Sequence, residues 1–329
     1  MSSPSLESRI KGSIYGVAVV DALGGPVEFH ARGRFPKVTD YQYNTNFAMP
    51  PGTWTDDTSL TLCLAKSLID SKGEFVSQDA IRNYIKWYQN GDLSATGKCF
   101  DIGNCTRQAL MMWNTYFPPQ EKGIPEDAPN ALVEGQKAVD KALKRKAFCG
   151  NGSLMRVAPI GLVFYRNLEL ALSNAALSSD VTHPYPVNAE CCEIYTTLIV
   201  HCLNGATKTD LAEDIATASF LDPNITSTLE DYTDIDSWKA KDIESIQSSG
   251  YVIHTLEAAL WAFFTTDTFQ EGAIRVVNLG DDADTVGAVY GGLAGAYYGL
   301  ENIPGKWLDG LQGRDIVEKI ASDLASLHT

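Results

Sequence analysis

The sequence has 329 residues, of which 44% are hydrophobic and 20% are charged, a composition typical of a globular protein with a large core. Its formal net charge of −15 argues against a broad nucleic-acid surface, because phosphate backbones are bound mainly by clustered lysine and arginine. The same charge suits a protein that binds cations, and no apolar run approaches the roughly 20 residues that span a bilayer.

The chain begins with a helical pattern over residues 8–23 and continues with a loop. The break "GGP" after residue 23 is predicted to end the helix, and the region 30–53, with its prolines and glycines, is predicted to be a loop. Asp21 shares the apolar face of the helix, since it lies four residues after Val17. A carboxylate buried there needs hydrogen bonds, a cation or a metal to offset its desolvation.

The rest of the chain is predicted to be mostly helical. Apolar stripes predict helices over residues 60–68 and 79–89, and "FDIGNCTRQALMMW" predicts a loop that leads into a helix. The segment 117–130, rich in proline and charge, is predicted to be a solvated excursion. Strand-type alternation is rare and no long linker divides the chain, so we expect one large, mostly helical domain over residues 1–329. Further helices are predicted to begin near Ser153, Asn188, Thr209, Tyr251 and Asp284.

The cysteines and the amino terminus together predict a cytoplasmic protein. The seven cysteines are odd in number and irregularly spaced, and no C-x-x-C pair occurs. This spacing disfavours both a disulfide framework and structural zinc, and a reducing compartment is the better interpretation. The start, "MSSPSLESRIKG", has no basic region followed by an apolar one, so no secretory signal is expected.

Two clusters of aspartate and threonine stand at the predicted starts of two helices. They are "TWTDDTS", residues 53–59, and "GDDADT", residues 280–285. One interpretation is helix capping, because Asp and Thr are preferred N-caps and acidic groups favour the positive helix terminus. A cap needs only one side chain, however, and adjacent carboxylates repel each other. If the two helix starts meet, their oxygens form a cage for hard cations such as Mg²⁺, Mn²⁺ or Ca²⁺, and four or more carboxylates can hold two ions that activate a water.

Three further stretches carry candidate site residues. Glu28 in "DALGGPVEF" is interpreted either as a surface glutamate or as a mobile carboxylate held over a site. The loops "FDIGNCTRQ" and "FCGNGSLMR" precede helices, and their glycines and free helix-start amides form anion-binding nests. His183 in "THPYP" either contacts a base or satisfies a loop carbonyl.

Taken in order, these stretches resemble the ADP-ribosylglycohydrolase family, which includes the dinitrogenase reductase-activating glycohydrolases. The matching segments run from residue 12 to residue 299 and are "GSIYGVAVVDALGGPVEF", "WTDDTSL", "FDIGNCTRQAL", "GNGSLMRVAPIGL", "THPYP" and "GDDADTVGAVYGGLAGAYYG". The resemblance implies an all-α fold, built as a single compact orthogonal helical domain, and a binuclear metal site. There are two departures: Asp281 stands where some members have glycine, and Cys105 stands where a small residue or threonine is usual.

The resemblance assigns three groups of functional residues. Two divalent cations, Mg²⁺ or Mn²⁺, would be bound by Thr55, Asp56, Asp57, Asp282, Asp284 and Thr285. Glu28 matches a flexible loop glutamate and Asp101 matches an aspartate proposed as a base, so both are candidate catalytic residues. The substrate would contact Gly103, Asn104, Cys105, Gly150, Asn151, Gly152, Ser153, Met155 and His183.

The function that the resemblance implies is hydrolysis of the bond between the distal ribose C1″ of ADP-ribose and an acceptor. The expected partners are an ADP-ribosylated protein or a small ADP-ribose conjugate, with ADP-ribose as product and the protein as a monomer. The alternatives are a hydrolase of a free ADP-ribose derivative, a non-catalytic ADP-ribose-binding module and a crystallin-like structural relative. The last two are free to lose the clustered aspartates, all of which are present here, and this favours an enzyme. The sequence leaves the acceptor open.

Overall fold

The computed structural model describes residues 3–117 and 130–328, and in these ranges the protein is built from helices. Strand pairing there is confined to two isolated bridges, Asn44 with Met49 and Gly150 with Tyr251. Within the same ranges no helix is both long enough and apolar enough to cross a membrane. The all-α prediction is therefore confirmed for the part of the chain that the structure describes.

Sixteen α-helices and five short 3₁₀ helices follow one another along the described residues. The α-helices are α1 (Leu6–Gly24), α2 (Asp56–Asp70), α3 (Ser77–Asn90), α4 (Asn104–Tyr116), α5 (Ala131–Leu143), α6 (Ala158–Phe164), α7 (Leu168–Asp180), α8 (Pro186–Leu203), α9 (Lys208–Thr217), α10 (Pro223–Leu229), α11 (Ile235–Ala240), α12 (Val252–Phe264), α13 (Phe269–Val277), α14 (Ala283–Tyr298), α15 (Gly305–Gly310) and α16 (Arg314–Ser326). The 3₁₀ helices are Gly25–Val27, Lys146–Phe148, Leu154–Arg156, Ile243–Ser245 and Leu300–Asn302.

The centre of the fold is an antiparallel pair of buried helices, α1 and α14. Glycines face each other across the pair: a Cβ on Gly12 would overlap the carbonyl of Gly295, and one on Gly16 would overlap that of Gly291. Near the other end, a Cβ on Gly24 would overlap the backbone at Ala283. Because the helices run in opposite directions, the carboxyl end of α1 meets the amino end of α14.

Most sequence predictions of helices agree with the structure, and one helical stretch differs in type from the others. The predicted helix at residues 8–23 is α1, the "GGP" break ends it, and the predicted loop 30–53 contains no helix. The helical stretch predicted near Ser153 begins at Leu154 as a 3₁₀ helix, and the α-helix α6 begins only at Ala158. Pro159 explains the later start, because proline lacks an N–H and is accommodated in the first turn of a helix.

The predicted solvated excursion at 117–130 lies outside the described residues except for its two ends. Of these, Phe117 is buried and its ring stacks on Trp113, so this residue does not belong to a solvated segment. All seven cysteines are free, which agrees with the absence of a disulfide framework.

The close approach of α1 and α14 leads to a stability prediction. Gly16→Ala places a methyl group against the Gly291 carbonyl, and overpacking of this kind destabilises by about 1–3 kcal/mol or more. Gly305→Ala is the control, since no atom lies within 4 Å of its added Cβ, and a change below about 0.5 kcal/mol is expected. Urea unfolding measures both. Equal free energies of unfolding for the two variants would contradict the glycine contact.

Candidate active site

The amino terminus of α2 is capped by a carboxylate from another helix. Asp21, buried near the end of α1, accepts hydrogen bonds from the backbone N–H of Thr55, at 3.0 and 3.1 Å to its two oxygens, and from that of Thr58 at 3.1 Å. The hydroxyl of Thr58 also donates to Asp21. These contacts satisfy two of the free N–H groups at the start of α2, which would otherwise be unpaired in the protein interior.

The two acidic clusters are therefore not used as helix caps. The N-cap residue of α2 is Thr55 and that of α14 is Asp282, and neither side chain forms a capping hydrogen bond. Asp56 and Asp57 are nevertheless buried in the first turn of α2, and Asp284 is buried in the first turn of α14. Capping does not explain why these carboxylates are held there.

The carboxylates converge into two groups that share Asp284. In the first, one oxygen from each of Asp21, Asp57 and Asp284 lies within 4.8 Å of the others. In the second, the same holds for Glu28, Asp282 and Asp284. The Thr55 hydroxyl lies inside the first group, 2.9 Å from Asp57 Oδ2 and 3.5 Å from Asp284 Oδ2.

It is energetically unfavourable for these clustered carboxylates to be charged when no cation is bound near them. Burial, followed by repulsion from neighbouring carboxylates, raises the pKa of Asp57 and of Asp284 well above the usual range. Burial also raises the pKa of Asp21 to about 7, although hydrogen bonds from four donor groups, the N–H and hydroxyl of Thr55 and of Thr58, oppose the shift. No ion pair between described residues includes any of these three aspartates.

The donor set fits divalent cations. Asp57 Oδ1 and Glu28 Oε2 are buried and have no hydrogen-bond partner among the described residues, so each oxygen is free to bind an ion. The groups offer carboxylate and hydroxyl oxygens and contain no cysteine or histidine, a set that suits Mg²⁺, Mn²⁺ or Ca²⁺ rather than zinc. Cations would offset the mutual repulsion that raises the pKa values.

Glu28 is buried over the cluster, only 6% exposed, so its interpretation as a surface glutamate is wrong. Burial, followed by the charges of Asp101 and Asp282, raises its pKa to about 10. Its backbone carbonyl accepts hydrogen bonds from Asn46 Nδ2 at 3.0 Å and from His30 Nδ1 at 2.9 Å. The loop that follows Glu28 also forms backbone hydrogen bonds with the second acidic cluster, residues 280–285.

A cavity of about 720 Å³ opens beside the carboxylates and contains most of the predicted site residues. Burial raises the pKa of Asp101, in its wall, to about 6. The Gly103 N–H, at the start of α4, points to Asp56 Oδ2 at 3.4 Å. The predicted residues in the lining are Glu28, Asp56, Asp101, Gly103, Asn104, Cys105, Gly150, Asn151, Gly152, Met155, His183, Asp282, Asp284 and Thr285.

The glycine-rich loop at 150–152 connects the carboxylates to the far wall of the cavity. Asn151 Nδ2 donates to Asp282 Oδ2 at 2.7 Å and to Thr255 Oγ1 at 2.8 Å, which fixes the loop against α12. A Cβ on Gly152 would lie 2.8 Å from the His183 ring, so only glycine permits this approach. Burial, followed by the charge of Arg156, lowers the pKa of His183 to about 3, and the ring is therefore neutral.

Three predicted site residues do not line the cavity. Thr55 and Asp57 lie behind its wall, inside the buried carboxylate groups. Ser153 was expected to contact substrate, but its side chain is turned into the core, where it accepts a hydrogen bond from the Ser179 hydroxyl at 2.8 Å. The Cys192 thiol, on α8, also donates to the Ser153 hydroxyl.

Sequence reasoning missed several residues that the structure adds to the site. The sequence predicts that Asp21 is a buried carboxylate but does not predict that it caps α2. This contact joins segments that are distant in sequence, so the helical pattern around Asp21 does not indicate it. Ser249 and Gly250 line the cavity from the loop before α12, and no motif marks them. Phe29 lines it in a left-handed backbone conformation with a φ of 65°, and so does Asp281 of the predicted acidic cluster, with a φ of 54°.

Comparison with known proteins agrees with this architecture. An ADP-ribosylarginine hydrolase Tri1 of Pseudomonas putida (strain GB-1) is 34% identical over 319 residues, which cover 96% of this chain and 77% of that protein. An ADP-ribosyl-[dinitrogen reductase] glycohydrolase of Rhodospirillum rubrum is 28% identical over 322 residues, covering 94% of this chain and 92% of that protein. A solved structure titled ADP-ribosylglycohydrolase-related protein complex aligns with a TM-score of 0.78 at 35% identity, covering 99% of both chains.

The resemblance first seen in the ordered sequence motifs is thus confirmed by independent comparisons. The family model described as ADP-ribosylglycohydrolase matches residues 2–329, and two relatives that are 34% identical are both hydrolases by name. This chain belongs to the ADP-ribosylglycohydrolase family and is a hydrolase.

Proposed function

We propose that this protein is a metal-dependent hydrolase that releases ADP-ribose from an ADP-ribosylated arginine side chain. The observation that carries the proposal is the pair of carboxylate groups that share Asp284. Their members are buried or partly buried, form no ion pair among the described residues and lie beside a cavity. Arginine is the acceptor we favour because two relatives named ADP-ribosylarginine hydrolase are each 34% identical to this chain. The carboxylate set argues for a catalyst over a binding or structural relative.

The residues that would hold the cations belong to both clusters. Asp57, Asp284 and Thr55 would bind one ion, and Asp282 and Asp284 would bind the other, with Glu28, Asp56 and Thr285 beside them. Divalent ions in these positions would offset much of the negative charge of the carboxylates, orient ribose hydroxyls and make a water more acidic. Asp21 already accepts several hydrogen bonds from α2, so we assign it the role of orienting Thr55 rather than of a principal ligand.

The remaining residues of the cavity would bind the substrate and move protons. Cleavage of the bond from C1″ to the acceptor nitrogen leaves positive charge on the ribose and requires proton transfer between water and the leaving guanidine. Glu28 and Asp101 are the carboxyl groups placed in the cavity wall for that transfer. The backbone amides at the start of α4 and along the loop 150–152 would hold the diphosphate, since no lysine or arginine is among the described residues that line the cavity.

A panel of defined substrates tests the proposed function directly. We expect release of ADP-ribose from an ADP-ribosylarginine peptide with Mg²⁺ or Mn²⁺ and none with EDTA. The parallel arms are an ADP-ribosylserine peptide and a free ADP-ribose ester, each followed by quantifying ADP-ribose chromatographically. If either parallel substrate were turned over faster than the ADP-ribosylarginine peptide, arginine would not be the preferred acceptor. Full activity in EDTA would contradict the metal dependence.

The acidic clusters either bind metal or have only a structural role, and these two hypotheses predict opposite results for one pair of variants. Asp57→Asn and Asp284→Asn remove charge from a buried group of mutually repelling carboxylates. In EDTA their melting temperatures should therefore equal or exceed that of the wild type. Addition of Mg²⁺ or Mn²⁺ should raise the melting temperature of the wild type, because binding to the native state stabilises it, and should raise those of the variants much less.

The control for these variants is Asp281→Asn. Asp281 is exposed at the cavity rim outside both carboxylate groups, and asparagine tolerates its left-handed backbone. Its melting temperature should respond to metal as the wild type does. If both Asp57→Asn and Asp284→Asn showed the wild-type rise in melting temperature with metal and wild-type turnover, the clusters would have only a structural role.

Glu28→Gln separates proton transfer from metal binding. A general acid or base contributes roughly 10²- to 10⁴-fold to the rate, so single-turnover cleavage should fall by about that factor while ADP-ribose affinity stays near normal. Calorimetric titration of metal and of ADP-ribose, followed by rapid-quench measurement at saturating metal, gives all three quantities. A fall in metal affinity that accounts for the slower rate would make Glu28 mainly a ligand. A wild-type rate would leave Asp101 as the proton-transfer group.

A further inference from the structure

Three phenylalanines form a continuous aromatic row beside the two candidate proton-transfer residues. Phe29 directly follows Glu28, and Phe100 directly precedes Asp101. Phe47 contacts both rings, with centroids 6.4 Å from Phe29 and 5.5 Å from Phe100. The aromatic row, Phe29, Phe47 and Phe100, thus connects the loop that carries one carboxylate to the loop that carries the other.

The conformation of Phe29 is not explained by packing. The residue is 70% exposed and lines the cavity, yet its backbone is left-handed with a φ of 65°. A bulky side chain is strained in that region, and an exposed ring gains little from burial in return. Its N–H donates to the Asp281 carbonyl at 2.7 Å, which holds the ring at the rim. Strain of this kind concentrates at functional sites.

The charge around the aromatic row favours a cationic, planar ligand. Glu28 and Asp101 are the sequence neighbours of Phe29 and Phe100 and line the cavity together with Phe29, and the described lining of the cavity contains no lysine or arginine. A guanidinium ion matches both features, because it forms charge-assisted hydrogen bonds to carboxylates in its plane and stacks on aromatic faces. A substituted guanidinium keeps its charge, as in methylated arginine.

We propose that the aromatic row is the acceptor subsite, in which Phe29, supported by Phe47 and Phe100, binds the guanidinium group of the ADP-ribosylated arginine. This inference rests on the proposed function, which supplies the arginine acceptor. The ADP-ribose half would occupy a different part of the cavity, along the loop 150–152. That loop contacts His183 and pairs with Tyr251, and neither residue has a ring contact with the aromatic row.

Phe29→Leu is the main test, since it keeps an apolar side chain in the same strained backbone and removes only the aromatic face. We expect kcat/KM for an ADP-ribosylarginine peptide to fall about tenfold through KM, while ADP-ribose affinity and kcat change less than about twofold. Phe29→Tyr keeps an aromatic face, so it should raise KM for the peptide much less than Phe29→Leu does. Tyr43→Leu, at an exposed aromatic residue in the same loop region as Phe47 but outside the cavity, should leave all parameters unchanged.

Phe29→Gly provides a readout that a structural role would not give. Glycine relieves the left-handed strain, so the melting temperature should rise while KM for the peptide increases. A lower melting temperature would show that the ring stabilises the fold, which would overturn the proposal. Stability is measured in the presence of EDTA and of Mg²⁺ so that metal binding does not obscure the comparison.

The remaining outcomes separate this inference from the proposed function. An unchanged KM in Phe29→Leu, with an active wild type, overturns the acceptor subsite alone. Loss of ADP-ribose affinity in Phe29→Leu would assign the aromatic row to the ADP-ribose half and also overturns it. A wild type that binds ADP-ribose but does not cleave the arginine peptide refutes the proposed function, and the acceptor subsite falls with it.

Discussion

The structure depends on holding several carboxylates together in the protein interior without a positive side chain among them. Burial of a charged carboxylate is unfavourable, and a second carboxylate within a few ångströms makes it more so. Asp57 and Asp284 experience both effects, as their raised pKa values show. A fold that keeps such groups in contact gives up stability at this place, and the surrounding helices must supply the rigidity that prevents the groups from moving apart.

That rigidity comes from the way three helices meet. The glycine contacts let α1 and α14 approach closely and in opposite directions, so the end of α1 and the start of α14 lie together. Asp21 then draws α2 to the same point by accepting hydrogen bonds from the backbone N–H groups of its first turn. The capping of α2 by Asp21 therefore also brings the two acidic clusters together. The packing of these helices and the assembly of the site depend on the same contacts.

Sequence patterns predicted the local elements well and the tertiary contacts poorly. The apolar stripes of α1 and α14 and the "GGP" break are local signals, and each led to a correct element. The Glu28 and Ser153 side chains are buried by segments that are distant in sequence. The residues next to them in the chain do not indicate this burial. Phe29 shows the limit most clearly: a phenylalanine after a glutamate is unremarkable in sequence, and only its backbone angle and exposure mark it.

The acidic character of the site also bears on how an anionic substrate could enter it. A diphosphate near Glu28, Asp101 and the buried aspartates would be repelled if the carboxylates were charged and unaccompanied. If the proposed cations bind, they offset much of this negative charge, and cation and ADP-ribose each increase the affinity of the other by the same factor. The helix-start amides then need to provide only orientation. An acidic protein with a net charge of −15 can in this way recognise a nucleotide without a basic surface.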